Sequence, residues 1–315
     1  MELLLSIEDR GYPAEYLISR IRGKRAGLIS DWSPLFANGT PTEFLASSRY
    51  RGFVTDRSPE GVWRNLMREY RRVYFLMNKK LRNIFRPFFL YSELRTILIR
   101  LRHIEGRKGE KNGNILLCSL LSEEFKKVLR ESGDVTTAVR EIERCFLSLS
   151  EGFAGIAGMY AGEGLRGFEK EFTDRYLLGT VKGKLHPLIK EFFVRIIDAR
   201  NIISLDKYIR LNSKTAPSFI SCGSMNGPAF AGIIAQKDLF ALHRLAGIRD
   251  EGTGMTEQAL YRNITVFLRK AGRDPLSIGP ILDYLWRISI EVVNLSILYY
   301  GRDIDRETIR RELVH

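Results

Sequence analysis

The sequence has 315 residues, of which 44% are hydrophobic and 28% are charged, and this composition excludes a disordered or collagen-like chain. Its 50 basic and 37 acidic residues give a formal net charge of +13, which favours anionic partners such as nucleic acid, an anionic membrane or an acidic protein. The three cysteines and four histidines are scattered. The sequence therefore predicts neither a disulfide framework nor a metal site, and a reducing cytosol fits.

No part of the chain has the pattern of a membrane span. The longest apolar runs fall well short of the roughly 18 to 20 residues that cross a bilayer. The first six residues lack the basic region of a signal peptide, and Glu8 and Asp9 end their apolar run. We expect a cytoplasmic protein that reaches a membrane, if at all, through other proteins.

Two basic segments lie in the first third of the chain. In the first, Arg20 and Arg22 cannot share one helical face, so we expect one of them to pair with an acidic side chain. In the second, apolar and basic residues recur at helical spacing, which predicts one amphipathic helix. Its predicted core face is Leu66, Tyr70, Val73, Met77, Leu81 and Ile84. Its predicted solvent face is Arg68, Arg71, Arg72, Lys79 and Arg82.

Two polar stretches that contain glycine divide the chain into thirds. Residues 106–114 and 212–228 have the composition of connectors between helical segments. The strict alternation that predicts strands does not persist anywhere in the sequence. We therefore predict an all-α protein with three similar helical domains, at residues 1–108, 109–215 and 216–315.

One helical pattern occurs in each third. It consists of an aromatic residue, an acid five residues later and a Thr or Asn three residues after the acid. The three sets are Phe88, Glu93 and Thr96; Phe193, Asp198 and Asn201; and Trp286, Glu291 and Asn294. Because the acid and the Thr or Asn lie one turn apart on the same helical face, we predict a threefold internal repeat of one helical unit.

The helix of the last set is predicted to be buried on most sides. Apolar residues at helical spacing run from Ile281 to Tyr299, and Pro280 suits the first turn. Gly301 is predicted to end the helix as a left-handed cap. Within this helix, Glu291 and Asn294 need hydrogen-bonding partners. We favour helix-to-helix hydrogen bonds inside the repeat over contact with another chain, although both alternatives remain open.

No residue pattern points to catalysis, and we predict no catalytic, cofactor-binding or metal-binding residue. Gly162 to Gly167 fit the G-x-G-x-x-G spacing, but no strand-like run precedes them, so we interpret them as a flexible loop between helices. The phosphate loop of ATP-hydrolysing subunits and the common hydrolase motifs are absent from the sequence.

The order and spacing of several segments resemble the C subunit of V/A-type rotary ATPases, which is related to the d subunit of vacuolar ATPases. Segments 16–23 and 44–50 are similar to the opening of that family, and 198–202 to its central acid-x-x-Asn helix. Segments 275–295 and 309–313 resemble its end. Two positions depart from the family pattern: Thr96 replaces Asn in the first set, and Ser296 stands where a basic residue is usual.

The resemblance implies three similar helical domains in a pseudo-threefold, funnel-like arrangement. It also implies a non-catalytic coupling subunit, peripheral to the membrane, whose partners are the central rotor stalk and the membrane proteolipid ring of a proton or sodium pump. It implies no small-molecule substrate and no cofactor. The alternative is a basic helical nucleic-acid-binding protein, for which segment 64–86, with aromatics among its arginines, is the best support.

Overall fold

Helices form almost all of the regular structure of this chain. The computed structural model describes residues 2–9, 11–29, 31–32, 34, 50, 59–106, 114–225, 227–248, 256–301 and 304–314. These residues form thirteen α-helices and no β-strand, which confirms the all-α prediction. The helices are α1 (Ala14–Arg25), α2 (Pro59–Leu76), α3 (Lys79–Glu105), α4 (Asn114–Leu117), α5 (Glu123–Glu131), α6 (Val135–Leu147), α7 (Ile156–Lys182), α8 (Pro187–Arg210), α9 (Gly227–Gln236), α10 (Leu239–Leu245), α11 (Thr256–Ala271), α12 (Gly279–Tyr300) and α13 (Arg306–Glu312).

The chain forms two compact units, and each contains two separate stretches of sequence. The first unit comprises Met1–Pro13 and Met67–Phe193, and the second comprises Ala14–Leu66 and Val194–His315. Of the three boundaries between the units, one lies at the start of α1 and the other two fall within α2 and α8. The division into three similar domains in a pseudo-threefold arrangement stays a prediction.

An aromatic core fills the first unit. Helix α7 packs against both α3 and α6. The rings of Phe146 and Phe172, on α6 and α7, meet edge to face with centroids 4.7 Å apart. Tyr70 and Phe88 form a similar pair at 5.7 Å. Such ring pairs add a specific geometry to the apolar burial that drives the packing.

Helix α12 forms the centre of the second unit. It packs against α1, α11 and α13, and its residues are buried on nearly all sides as far as Leu295. Pro280 lies in its first turn, as expected. The indole nitrogen of Trp286 donates a hydrogen bond to the hydroxyl of Thr265 at 2.9 Å, which satisfies the one polar group of that buried ring.

The single helix predicted around residues 66–84 is in fact two helices. Helix α2 ends at Leu76, and α3 begins at Lys79 with Asn78 as its N-cap. The side-chain oxygen of Asn78 accepts a hydrogen bond from the amide of Leu81 at 2.9 Å, which satisfies a donor that the first turn leaves free. The apolar face continues across the break, because Met77 and Leu81 are both buried.

Two predictions about glycines are wrong in detail. Gly162 to Gly167 lie within α7 rather than in a loop between helices, and the helix kinks at Gly164, whose φ of 67° favours glycine. Gly301 does end α12, but with a φ of −85° it is not left-handed. A side chain there would meet Ile309 and the carbonyl of Ile297, so the position needs glycine because neighbouring groups approach closely.

The predicted connectors are covered only in part. Residues 212–225 form an irregular segment, as predicted, and α9 begins at Gly227. Residues 107–113 of the first connector and 44–49 of the opening family segment lie outside the described residues. Among the described residues, no helix combines the length and apolarity that a bilayer crossing requires.

Candidate functional site

The acid of the first predicted set holds a neighbouring stretch of backbone. Glu93 lies on α3 and is fully buried. Its carboxylate accepts hydrogen bonds from the hydroxyl of Ser119 at 2.8 Å and from the amide of Leu120. Burial raises the pKa of Glu93 to about 7, and these hydrogen bonds and the charge of Lys126 act in the opposite direction. We call this arrangement, a buried acid that binds a distant backbone amide, a carboxylate anchor.

The segment that Glu93 holds also pairs with the start of the chain. The amide of Leu5 donates to the carbonyl of Leu120 at 2.8 Å, and the amide of Ser122 donates to the carbonyl of Leu3 at 2.9 Å. Leu3 and Leu120 are fully buried. The anchor of Glu93 therefore fixes the position of the backbone segment with which residues 3–5 pair.

Asp198, on α8, forms the second anchor with the same spacing. Its carboxylate accepts hydrogen bonds from the hydroxyl of Ser224 and from the amide of Met225, the latter at 3.2 Å. The two donors follow the acid by 26 and 27 residues, as Ser119 and Leu120 follow Glu93. Gly223 makes room for this contact, because a β-carbon there would lie 2.3 Å from the carboxylate.

Glu291, on α12, forms the third anchor with donors from a different part of the chain. Its carboxylate accepts hydrogen bonds from the amide of Ile29 and from the hydroxyl of Tyr50. These donors precede Glu291 by 262 and 241 residues. Glu291 and Tyr50 are almost fully buried. Glu291 is hydrogen-bonded within the protein, but its partners belong to the segment that follows α1. The expected helix-to-helix hydrogen bonds inside the repeat are therefore wrong for this acid.

Two of the three anchors have an asparagine one turn further along the helix that binds backbone in both directions. Asn201 donates to the carbonyl of Ile220 and accepts from its amide, both at 2.9 Å. Asn294 makes the same pair of bonds with Val314, at 2.8 and 2.9 Å. We call this an asparagine clamp. Thr96 stands at the equivalent place in α3 and is fully buried.

An unpredicted ion pair joins α1 to α12 in the second unit. Arg25 lies 2.5 Å from the carboxylate of Asp283 and donates to the carbonyl of Gly272 at 3.1 Å. The arginine of this segment that pairs with a buried acid is Arg25, whereas Arg20 and Arg22 are exposed. Burial raises the pKa of Asp283, and the charges of nearby arginines oppose this rise. The sequence feature that could have predicted this ion pair is the presence of an acid within the apolar run 281–285, because a buried acid needs a cationic partner.

A small cleft adjoins the Glu291 anchor. Arg269 and Arg287 line it together with Trp32 and Thr265. Burial lowers the pKa of Arg287, and the negative charges of Asp283 and Glu291 partly restore it. The cations here balance two buried acids, so the cleft contributes to the electrostatics of the anchor.

The predicted basic face of segment 68–82 is only partly at the surface. Arg68, Arg72 and Lys79 are exposed, as expected. Arg82 is buried, and it donates to the carbonyls of Ile7 and Glu8. The prediction of a solvent-facing Arg82 is therefore wrong, because the first residues of the chain cover this side of α3.

The aromatic residues in this basic segment face the protein interior. Tyr70 and Phe85 are at most 1% exposed, and Tyr74 is 6% exposed. Phe75 is the exception at 43%, and the guanidinium of Arg71 lies 5.4 Å from its ring. A nucleic-acid-binding surface needs accessible rings on which bases stack. The nucleic-acid alternative is therefore unsupported.

Fold and buried groups together define the class of this protein: an all-α scaffold whose buried acids and amides bind its own backbone. Within the described residues, no group of three or more potential ligands is placed to hold a metal ion. The family model described as the ATP synthase (C/AC39) subunit matches residues 17–312. The chain belongs to this family, and the resemblance to the V/A-type ATPase C subunit is confirmed. No curated protein matches the chain.

Proposed function

We propose that this chain is a non-catalytic coupling subunit of a V/A-type rotary ATPase or ATP synthase. In this role it links the central rotor stalk to the membrane proteolipid ring and takes part in the transport of protons or sodium ions. The family match over residues 17–312 is the observation that carries the proposal.

The buried polar groups suit a part that transmits force. A coupling subunit must resist deformation, because any yield between stalk and ring dissipates the rotation. The anchors of Glu93, Asp198 and Glu291 connect helices to loops through hydrogen bonds. Because hydrogen bonds are directional, they oppose displacement of the loop relative to the helix. Each of these bonds is costly to break, because a buried donor without a partner costs about 1 to 3 kcal/mol.

Attachment to the membrane is proposed to occur on the cytoplasmic side and chiefly through protein contacts. The formal charge of +13 would steer the chain toward acidic partner surfaces before contact. Exposed cations such as Arg72 and Lys79 are candidates for this steering.

Co-purification tests the proposal directly. A tagged full-length chain should retain both the rotor ring and the stalk subunits when membranes of its source are extracted in mild detergent. The isolated chain should stay in solution without detergent. Failure to recover ring or stalk subunits from intact membranes would contradict the coupling role.

Calorimetry tests the non-catalytic part of the proposal. Titration of the isolated chain with MgATP should give no heat that fits a micromolar dissociation constant, because the sequence has no phosphate loop. Micromolar binding or ATP hydrolysis by the isolated chain would overturn this part.

A further inference from the structure

A large apolar side chain stands in solvent at the end of α8. Leu211 is 75% exposed. Lys207 lies four residues before it and Lys214 three residues after it, and both are exposed. Since Leu211 follows the last residue of α8, the three side chains occupy the final turn and the beginning of the next segment.

A second exposed apolar side chain on α10 has the same surroundings. Phe240 is 68% exposed. Lys237 lies three residues before it and Arg244 four residues after it, and both are exposed. Arg244 lies about one helical turn after Phe240 on the same face of α10, and Lys237 lies just before the helix begins.

The two sites lie side by side within the second unit. The ammonium of Lys237 donates to the side-chain oxygen of Asn212 and lies 5.3 Å from the ring of Tyr208. Further along both helices, His243 lies 3.6 Å from Asp206. The two segments therefore run antiparallel. Leu211 on one segment and Phe240 on the other each lie between these two contacts along the chain. The basic–apolar patch thus comprises Lys207, Leu211, Lys214, Lys237, Phe240 and Arg244.

The acids near the patch are already engaged within the protein. Asp206 accepts hydrogen bonds from Arg210 and from the hydroxyl of Thr256. Asp238 accepts a hydrogen bond from the amide of Ala241 as the N-cap of α10. The four cations of the patch therefore face solvent as an excess of positive charge around two apolar tips.

We propose that the basic–apolar patch docks on an anionic phospholipid surface. Such a surface presents negative headgroups above an apolar boundary, and interfacial segments typically combine Lys and Arg with Phe and Leu for this reason. An acidic protein partner would match the cations but would need its own apolar cavity for Leu211 and Phe240. The lipid surface supplies both complements at once.

This inference goes beyond the proposed function, because it assigns a direct lipid contact in addition to contacts with ring and stalk proteins. It also stands without the proposed function. Vesicles contain no rotary ATPase subunits, so binding to them is independent of the co-purification experiment.

Vesicle co-sedimentation of the full-length chain provides the test. Vesicles of phosphatidylcholine with about one-third phosphatidylserine should bind the chain at low salt, whereas pure phosphatidylcholine should not. Raising the salt should release it, because surface charge is screened. The triple variant Lys207→Glu, Lys214→Glu and Arg244→Glu should weaken binding about a hundredfold, from roughly fivefold for each cation near the surface. Lys237 is left intact because it also contacts Asn212.

Two matched controls separate the patch from general charge and hydrophobicity. The triple variant Lys182→Glu, Lys184→Glu and Lys190→Glu makes the same change in net charge at exposed positions of the other unit and should bind far better. The pair Leu211→Ser and Phe240→Ser should weaken binding roughly tenfold, and the pair Leu117→Ser and Val266→Ser, also exposed, should not. Circular dichroism establishes that each variant is folded.

Three results would overturn the inference. Wild-type chain that stays in the supernatant with anionic vesicles at low salt would exclude lipid docking and leave an acidic protein as the partner. Equal losses in the two triple variants would show attraction by net charge alone. Unchanged binding after both serine substitutions at Leu211 and Phe240 would show that the apolar side chains take no part.

Discussion

The anchors of Glu93 and Glu291 stand at matching positions of two helices but hold different parts of the chain. Glu93 binds residues that follow it by 26 and 27 positions. Glu291 binds residues that precede it by 262 and 241 positions. The donors of the Glu93 anchor are therefore close to it in sequence, whereas the Glu291 anchor joins parts of the chain that are far apart in sequence.

This difference shows that a repeated helix can keep its buried acid while the partner changes. The buried acid needs two hydrogen-bond donors. Donors from any part of the sequence can satisfy the carboxylate. In the second unit, Arg25 and Asp283 strengthen the same long-range connection. Substitution at Glu291 should therefore disturb residues that are remote in sequence, whereas substitution at Glu93 should disturb nearby ones.

Glu291→Ala should have the largest effect on stability. It removes the acceptor of two hydrogen bonds to a charged group, at roughly 2 kcal/mol each, so we expect a loss of about 4 kcal/mol in the free energy of unfolding. Urea titration measures this loss. Hydrogen exchange should become faster at the amide of Ile29, and exchange at Leu120 should change much less. Glu291→Gln keeps one acceptor and should recover much of the stability.

The pH dependence of Glu93 should come next in size. Its pKa of about 7 in the folded protein lies above the ordinary glutamate value of 4.5, so the folded chain binds an extra proton between these two pH values. Stability from this group is thus greatest below pH 4.5 and falls by about 3 kcal/mol as the pH rises to 7.

Urea titrations of wild type and Glu93→Gln at several pH values isolate this slope. The difference between the two proteins should change by about 3 kcal/mol as the pH rises from 4.5 to about 8 and then stay level. Glu131→Gln, at an exposed carboxyl group, is the matched control and should leave the slope unchanged. A wild-type slope equal to that of Glu93→Gln would mean that Glu93 stays ionised when buried.

Loss of an asparagine clamp should have an intermediate effect that is the same at both sites. Asn201→Ala and Asn294→Ala each leave one backbone amide and one carbonyl without a partner, and we expect a loss of about 2 kcal/mol for each. Thermal and urea unfolding measure it. Asn83→Ala, at an exposed position, should lower stability by less than about 0.5 kcal/mol. Clearly unequal losses would show that the two clamps differ in their surroundings.

Charge reversal at the surface should change stability least. Replacement of Arg72, Lys79 and Lys80 by Glu should alter the free energy of unfolding by no more than about 0.5 kcal/mol, because these side chains are exposed. Association with the stalk or ring should nevertheless slow at low salt and less so at high salt. Arg71 is left unchanged, because it donates to the carbonyl of Leu117. An unchanged association rate at low salt would mean that these charges only promote solubility.

Burial patterns in this chain could be read from the sequence because they depend on local spacing. The stripe of α12 is buried as predicted as far as Leu295, although Tyr299 at its end is only half-buried. Most of the residues predicted for the core face around 66–84 are also buried. The break before Lys79 was missed because the apolar spacing continues across it, so only the capping role of Asn78 marks it.

The partners of the buried acids could not be read in this way. Helical periodicity relates residues within a few turns, whereas the anchors join residues separated by 26 to 262 positions. The sequence could predict that Glu291 and Asn294 need partners, but not that Ile29 and Val314 supply them. Arg82 was misplaced for the same reason, since the segment that covers it lies more than 70 residues away.

The ion pair between Arg25 and Asp283 affects how the protein can fold while it is being synthesised on the ribosome. Helix α1 is made early, yet its contact with Gly272 is separated from it by 247 residues. At 5 to 20 residues per second, synthesis of that interval takes roughly 10 to 50 seconds. During this time the apolar side chains of Leu17, Ile18 and Ile21 have no α12 to cover them. The early helix therefore stays without its final packing partner until α12 has been synthesised.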